Sequence, residues 1–297
     1  MLALRIVEII FPIFSIVGLG LLVGWRFKFD MSVANTLNID IFAPALMFSV
    51  IVGHSFELGD YTMLVLAAAG IVIFSGVISY PICKIVNIHP KTLLPPIMFT
   101  NSGNMGLPLF ALAFGQSALP AAALLFMVET GIHFLLGTYL LNRQAKIRSV
   151  FITPLMLCTL AALAANLIGW SPPKPVLLPI EMLGQICIPL MLFSLGVRLA
   201  DADLSEWRIG LIAAVLTPLS GLLLAFLSIA VFDLNPQQEA MLILFGALPP
   251  AVLNFIFAER YNQEPTKVAS IVIIGNALTI ISIPLALAYV LSRYPLT

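Results

Sequence analysis

The chain has 297 residues, of which 61 % are hydrophobic and 9 % charged, and its mean hydropathy is +1.08. Fourteen basic and fourteen acidic residues give zero formal net charge. This composition excludes a soluble globular domain and a basic surface for nucleic acid, and it is typical of an integral membrane protein.

Ten apolar runs are each long enough to cross a hydrocarbon layer of about 30 Å. They lie at 6–25, 33–53, 62–85, 92–114, 117–141, 149–169, 177–199, 208–232, 238–258 and 267–291. The first run is too long for the apolar region of a signal peptide and has no small-residue cleavage site, so we interpret it as a span. The sequence therefore predicts an all-α integral membrane protein with ten transmembrane helices.

The distribution of Lys and Arg predicts the orientation, because basic residues concentrate in cytoplasmic loops. With the N-terminus outside, three basic residues face outward, namely Arg5, Lys174 and Arg293. The other eleven face the cytoplasm: Arg26, Lys28, Lys84, Lys91, Arg143, Lys146, Arg148, Arg198, Arg208, Arg260 and Lys267. Both termini are therefore predicted on the non-cytoplasmic side, and the longest polar loops, 142–148 and 201–208, in the cytoplasm.

Two of the ten spans are interrupted by helix-breaking residues. The fourth contains Asn101-Ser102-Gly103-Asn104-Met105-Gly106-Leu107-Pro108, and the ninth contains Pro249-Pro250-Ala251-Val252-Leu253-Asn254. Proline lacks a backbone N–H and glycine removes side-chain restraint, so neither stretch can form an unbroken helix. An opened backbone survives in a membrane only inside protein or beside a water-filled cavity, where transporters bind their substrates.

The two halves of the chain resemble each other. Span two contains Pro44-Ala45-Leu46-Met47-Phe48-Ser49, and span seven contains Pro189-Leu190-Met191-Leu192-Phe193-Ser194. The interrupted spans, four and nine, are separated by the same offset of five. Because five is odd, the second copy has the opposite orientation in the membrane. We therefore predict two inverted five-helix repeats, residues 1–141 and 149–297.

The interrupted fourth span, Asn101 to Pro108, resembles the signature of the auxin efflux carrier family of membrane transporters. Leu37-Asn38 with Pro44-Ala45-Leu46 resembles the second span of that family, and Pro250 to Tyr261 resembles its ninth span and following loop. The resemblance implies a fold like that of bile acid sodium symporters. Helices 1, 2, 6 and 7 would form a scaffold, and helices 3–5 and 8–10 a moving core in which helices 4 and 9 cross.

The resemblance also implies a substrate class and a location. Family members carry organic anions, auxin in plants and small carboxylates such as malate or malonate in bacteria. This chain lacks the long central cytoplasmic loop of many plant members, which favours a bacterial protein of the inner membrane.

The residues themselves predict an anion site at the two breaks. Second half-helices that start near Leu107 and Ala251 would point two positive helix ends at the membrane midplane. No Lys or Arg lies deep within a span, so we expect the site to lack a basic side chain. The predicted binding residues are Asn101, Ser102, Gly103, Asn104, Met105, Pro249, Pro250, Ala251, Val252 and Asn254. Two alternatives stay open: the asparagines only hold the broken helices together, or Asn101, Asn104 and freed carbonyls bind a sodium ion.

Four further polar residues within spans are candidates for ion coupling, because such groups are costly in hydrocarbon. Glu129 and His133 are one helical turn apart on span five and can pair. They either carry a coupling proton or form a neutral hydrogen-bonded contact between helices. Asn276, on span ten, falls near the repeat position of Glu129. Asp40, on span two, is either functional or a helix-terminal or scaffold contact.

The favoured function is a secondary transporter of a small organic anion that works by alternating access, with proton or sodium coupling open. A channel, or a sensor derived from a transporter, is the alternative. An enzyme is not expected: His54, His89 and His133 lie in different segments, and no zinc-protease motif or nucleotide-binding loop is present. Cys83, Cys158 and Cys187 lack metal-ligand spacing, and no cofactor or resident metal is predicted. The expected partners are the anion and membrane lipid, with a homodimer left open.

Overall fold

The computed structural model describes residues 2–27, 30–53, 58–142, 153–200 and 204–294, and over these ranges the protein is all-helical. The β-type pairing among these residues is one isolated bridge, between Thr100 and Pro250. The predicted all-α class is confirmed. Lys28, Arg143, Lys146, Arg148 and the segment 201–203, which enter the predicted orientation, lie outside the described residues.

The described residues of the first half of the chain form eight α-helices. These are α1 (Leu2–Phe27), α2 (Ser32–Leu37), α3 (Ala43–Gly53), α4 (Thr62–Ile85), α5 (Pro90–Met98), α6 (Leu107–Phe114), α7 (Leu119–Ile132) and α8 (Thr138–Leu141). Short 3₁₀ turns, Leu58–Tyr61 and Gln116–Ala118, precede α4 and α7.

Three helical turns in this half are π-helical, each with a wider turn than an α-helix. Asn38–Phe42 joins α2 to α3, Ser102–Gly106 leads into α6, and His133–Gly137 joins α7 to α8. The sequence predicted a break at the second of these positions but not a π turn at any of them.

The second half of the chain contains seven helices over its described residues. These are α9 (Pro154–Leu167), α10 (Lys174–Ala200), α11 (Trp207–Val231), α12 (Pro236–Gly246), α13 (Leu253–Arg260), α14 (Pro265–Ala277) and α15 (Thr279–Arg293). The predicted tenth span is bent by 47° between α14 and α15, at Leu278. This bend was not predicted, because Ala277, Leu278 and Thr279 at the bend include neither proline nor glycine.

Six continuous helical runs in the described residues are long and apolar enough to cross a membrane, and the bent α14–α15 pair would be a seventh. The six are Leu2–Phe27, Ser32–Gly53, Gly59–Ile85, Gln116–Leu141, Lys174–Ala200 and Trp207–Val231. The predicted fourth and ninth spans are each divided into two short helices. The predicted sixth span contributes α9, whose 14 residues extend about 21 Å at the α-helical rise.

One group of packed helices consists of α1, α3, α9 and α10. Helices α1 and α10 touch through their backbones, because a Cβ atom at Gly20 would overlap the carbonyl oxygen of Phe193. Likewise, a Cβ at Gly184 of α10 would lie 2.8 Å from the Cα of Leu46 in α3. Small residues therefore set the spacing within this group.

A second group consists of α4, α5, α7, α11, α12 and α14. Helices α11 and α12 also meet through backbone, where Gly221 and Gly246 face each other. At one end of the group, Thr92 of α5 donates a hydrogen bond to Glu264, in the loop before α14. Lys267 and Thr92, both donating to this carboxylate, lower the pKa of Glu264. This polar contact connects the loop after α13 to the start of α5.

The close approach of α1 and α10 predicts that alanine substitution at two nearby glycines, Gly20 and Gly18, changes the stability differently. We expect Gly20→Ala to lower the free energy of unfolding by about 1–3 kcal/mol, because the new methyl group overlaps the Phe193 carbonyl. Gly18→Ala is the matched control, since no atom lies within 4 Å of a Cβ there, and it should be neutral or stabilising by up to about 1 kcal/mol. Unfolding of both variants in detergent measures the difference, and equal stabilities would contradict the described packing.

Candidate functional site

The two interrupted spans cross and pair through their backbones. The Asn101 N–H donates to the Pro249 carbonyl at 2.7 Å, and the Ala251 N–H donates to the Phe99 carbonyl at 2.9 Å. Helices α5 and α12 end just before this contact. Each break thus supplies hydrogen-bond partners that the other needs in a low-dielectric environment.

Three buried asparagines reinforce the crossing. Asn254 Nδ2 donates to the Phe99 carbonyl at 2.9 Å, and Asn276 Nδ2 donates to the Pro250 carbonyl at 2.9 Å. Asn101 Nδ2 donates to Asn276 Oδ1 at 2.7 Å. Each of these side chains therefore uses hydrogen bonds to hold the broken helices together. This structural role is one of the alternatives that the sequence left open for the asparagines.

Asn104 differs from these three asparagines. Its backbone N–H donates to Asn101 Oδ1 at 3.2 Å, but its carboxamide makes no hydrogen bond among the described residues. The side chain is half-buried and lines a cavity beside the crossing. Asn104 is therefore available to a solute.

The α-helix of the second half of the fourth span, α6, begins at Leu107 as predicted, but a π-helical turn, Ser102–Gly106, precedes it and extends the helical run back to Ser102. The N–H groups of Met105 and Gly106 both donate to the Asn101 carbonyl, at 3.1 and 3.0 Å, so a wide helical turn already forms there. Pro108 follows within the first turn of α6, where its missing N–H costs little. The other half-helix, α13, begins at Leu253, close to the predicted start. Both helix N-termini reach the crossing.

Glu129 and His133 are buried against the crossing, with 3 % and 1 % of their surfaces exposed. Ser102 donates a hydrogen bond to Glu129 Oε2. His133 Nδ1 lies 3.9 Å from Glu129 Oε1, and the His133 ring stacks on Phe99 at 4.1 Å between centroids. The predicted pairing of Glu129 with His133 is thus a close approach rather than a short hydrogen bond.

A cavity of about 180 Å³ lies at the crossing. All three π-helical turns of the described chain contribute to its wall, through Asn38 and Ile39, Gly103 and Asn104, and His133 and Phe134. Such turns inside α-helices occur frequently at functional sites. Their convergence marks this cavity as the candidate site.

Four buried polar atoms of the cavity wall have no hydrogen-bond partner of normal geometry among the described residues. They are Asn38 Oδ1, Thr100 Oγ1, Glu129 Oε1 and His133 Nε2. Buried polar atoms are normally hydrogen-bonded. Their concentration at one cavity indicates that the wall is built to contact water or a polar solute.

Five of the ten predicted binding residues line the cavity: Asn101, Gly103, Asn104, Ala251 and Val252. The other five, Ser102, Met105, Pro249, Pro250 and Asn254, do not line it. Among the coupling candidates, Glu129 and His133 line the cavity and Asn276 contacts Asn101 behind it. Asp40 is exposed and does not line the cavity.

A larger depression of about 760 Å³ shares three wall residues with this cavity, and none of the three was predicted as a site residue. Asn35, Ser194 and Arg198 line both spaces, and we call them the neck. The expectation of a site without a basic side chain is therefore wrong, because Arg198 reaches the cavity wall from the end of α10. Ser194 and Arg198 are four residues apart in span seven, and this spacing in the sequence could have indicated that both lie on one face of the helix.

Comparison with known proteins identifies the class. Residues 138–287 match the family model described as "Membrane transport protein". A protein of Rhizobium meliloti named "Putative malonate transporter" is 24 % identical over 94 % of this chain and 94 % of its own length. An uncharacterized transporter of Methanocaldococcus jannaschii is 22 % identical over 85 % of this chain and 87 % of its own length.

A plant relative covers a shorter stretch. Auxin efflux carrier component 8 of Arabidopsis thaliana is 29 % identical over 41 % of this chain and 33 % of its own length. The chain belongs to the membrane transport protein family of the auxin efflux carriers, as the resemblance at the fourth span predicted.

The asparagine contacts predict a structural role for Asn276. We expect Asn276→Ala to lower the free energy of unfolding by roughly 1–3 kcal/mol, because it removes bonds to Asn101 and to the buried Pro250 carbonyl. Asn166→Ala is the control, since Asn166 makes one long bond, 3.4 Å, to Ile51, and its change should stay within about 0.5 kcal/mol. Denaturation in detergent distinguishes the two, and similar losses would contradict the role of Asn276.

Proposed function

We propose that this family member is a secondary transporter that moves a small organic anion by alternating access. The observation that carries the proposal is the convergence of three π-helical turns and two helix N-termini on one cavity with unpaired polar atoms. Helix N-termini favour negatively charged groups through their dipoles.

The substrate class in this proposal is a small carboxylate. The cavity, about 180 Å³, is smaller than the roughly 300–1,000 Å³ of sites for drug-sized ligands. One relative, which matches nearly the whole chain, is named as a malonate transporter. Size and relationship together favour a short mono- or dicarboxylate.

The proposed architecture has ten spans arranged as two inverted five-helix repeats. Helices α1, α3, α9 and α10 would form the scaffold, and the group around α4, α5, α11 and α12 the moving core. Packing through small residues within each group supports this division. The cavity lies between the two groups, since α10 and the π turns before α3 and α6 both contribute to it.

Alternating access requires that the cavity open to one side at a time. The neck leads to the larger depression, whose wall includes Asp30 and Glu259 at helix ends. The positive-inside rule assigns these ends to the cytoplasm. In the other direction α6 leads from the cavity to a depression near Leu112 and Phe114, and its intervening Leu107 and Phe110 are fully buried. The proposal assigns this arrangement to the inward-open state of a bacterial inner-membrane protein with both termini outside.

Binding of malonate to the purified protein tests the proposal. A ligand of the folded state raises its melting temperature by mass action, so we expect a malonate-dependent increase. Asn104→Ala should weaken malonate binding by about 1–3 kcal/mol, because it removes an uncommitted polar group from the cavity wall. Unliganded stability should change little, since the Asn104 carboxamide makes no bond to described residues.

Asn166→Ala, which does not line the cavity, is the control and should keep full malonate affinity. Absence of any carboxylate-induced stabilisation of the native protein would reject the proposed substrate class. Full affinity in a folded Asn104→Ala protein would reject the placement of the anion.

Proton coupling through Glu129 is part of the proposal. The carboxyl group is buried, with Ser102 as its hydrogen-bond donor and His133 as the neighbouring titratable group. A buried ionised carboxylate beside a bound anion would be costly, because like charges repel strongly at low dielectric. We therefore propose that Glu129 is protonated, or paired with a protonated His133, while the anion is bound.

Malonate uptake should then increase as the pH falls between about 8 and 5.5, a window that spans the ordinary histidine pKa. Glu129→Gln mimics the protonated acid and should make malonate uptake independent of pH over the same window. Uptake by liposomes with imposed pH gradients measures both properties. Uptake that does not change with pH across this window but requires sodium would reject proton coupling. It would favour a sodium ion bound near Asn101 and Asn104.

A further inference from the structure

The neck contains one cationic side chain, that of Arg198. Arg198 lies in the last turn of α10 and is half-buried. Its guanidinium carbon lies 5.8 Å from the ring centroid of Phe255. The residue lines both the crossing cavity and the larger depression. Arg198 therefore lies at the boundary between these two spaces.

The guanidinium is not neutralised by an ion pair. Among the described residues, no carboxylate oxygen lies within 4.0 Å of it, and its carboxylate neighbours on the depression wall are Asp30 and Glu259. Glu259 is exposed to a greater extent than Arg198. A guanidinium presents a planar fork of donors that matches a carboxylate in two parallel hydrogen bonds. That fork is free to bind an anion.

The other two neck residues are already bonded to each other. Ser194 Oγ donates to Asn35 Oδ1 at 2.6 Å, which holds the start of α2 against α10. This contact fixes the helix face from which Arg198 projects one turn later. The neck therefore combines a hydrogen-bonded polar pair with one cationic side chain.

We infer that Arg198 binds the second carboxylate of a dicarboxylate whose first carboxylate lies at the crossing of the broken helices. The inference rests on the proposed function and adds selectivity for dicarboxylates over monocarboxylates. Charge supports it: two helix N-termini provide about half a positive charge each, which offsets one carboxylate. The Arg198 guanidinium offsets the other.

The test compares malonate with propionate, which has the same number of carbons and one carboxylate. Dissociation constants are measured calorimetrically on the full-length protein in detergent. We expect Arg198→Gln to weaken malonate binding about 10- to 100-fold, the range typical of a lost charged hydrogen bond. Propionate binding should change by less than about 3-fold. Arg198→Lys retains the charge but not the fork, and should give an intermediate, malonate-specific loss.

Two control variants separate this role from a structural one. Arg208→Gln removes an exposed arginine beside Trp207 that lines neither space, and it should leave both dissociation constants unchanged. Glu259→Gln should not weaken malonate binding, whereas it would reproduce Arg198→Gln if Arg198 acted only by pairing with Glu259.

The outcomes are distinct. Equal losses for malonate and propionate, or no loss for malonate, would overturn the inference while the proposed function stands. If the native protein binds neither compound, the proposed function and this inference both fail. If Arg198→Gln does not fold, the malonate-to-propionate ratio of Arg198→Lys decides, and an unchanged ratio overturns the inference.

Discussion

The structure depends on the pairing of two opened backbones with each other. A membrane offers no water to the peptide groups that a broken helix leaves free, so each break needs a protein partner. Here the partner is the other break, through the pairing around Thr100 and Pro250. This requirement brings two distant parts of the chain together, and it explains why Asn254 and Asn276 bond to main-chain carbonyls at the same place.

The pairing also divides the polar groups into two sets with different roles. Asn101, Asn254 and Asn276 maintain the crossing, and their hydrogen bonds are directed within the protein. The side chains of Asn104 and Arg198 face the cavity or its neck and make no hydrogen bond to the described residues. Because the first set already satisfies the backbone, the second set can exchange water for a solute without loosening the fold.

Much of this arrangement is predictable from sequence, because glycine and proline have strong local effects. The two interruptions, the helical class, the family and the pair Glu129–His133 follow from residue type and spacing. The π turns at Asn38–Phe42 and His133–Gly137 do not, because tertiary packing is not visible in residue type and spacing: a Cβ at Gly137 would lie 3.0 Å from the ring of Phe99, on another helix break. Arg198 was placed at a helix end by hydropathy, which ignores how far its long side chain extends along the helix.

The π turns have a consequence for chain length. Each accommodates about one residue more than an α-helical turn would, and one residue corresponds to about 100° of rotation around an α-helix. Because the wide turn absorbs this extra residue, deleting one residue within Asn38–Phe42 or His133–Gly137 would let the helix regain regular geometry while the residues that follow keep their face. Relatives with regular α-helices there should therefore align to this chain through single-residue gaps at the cavity wall.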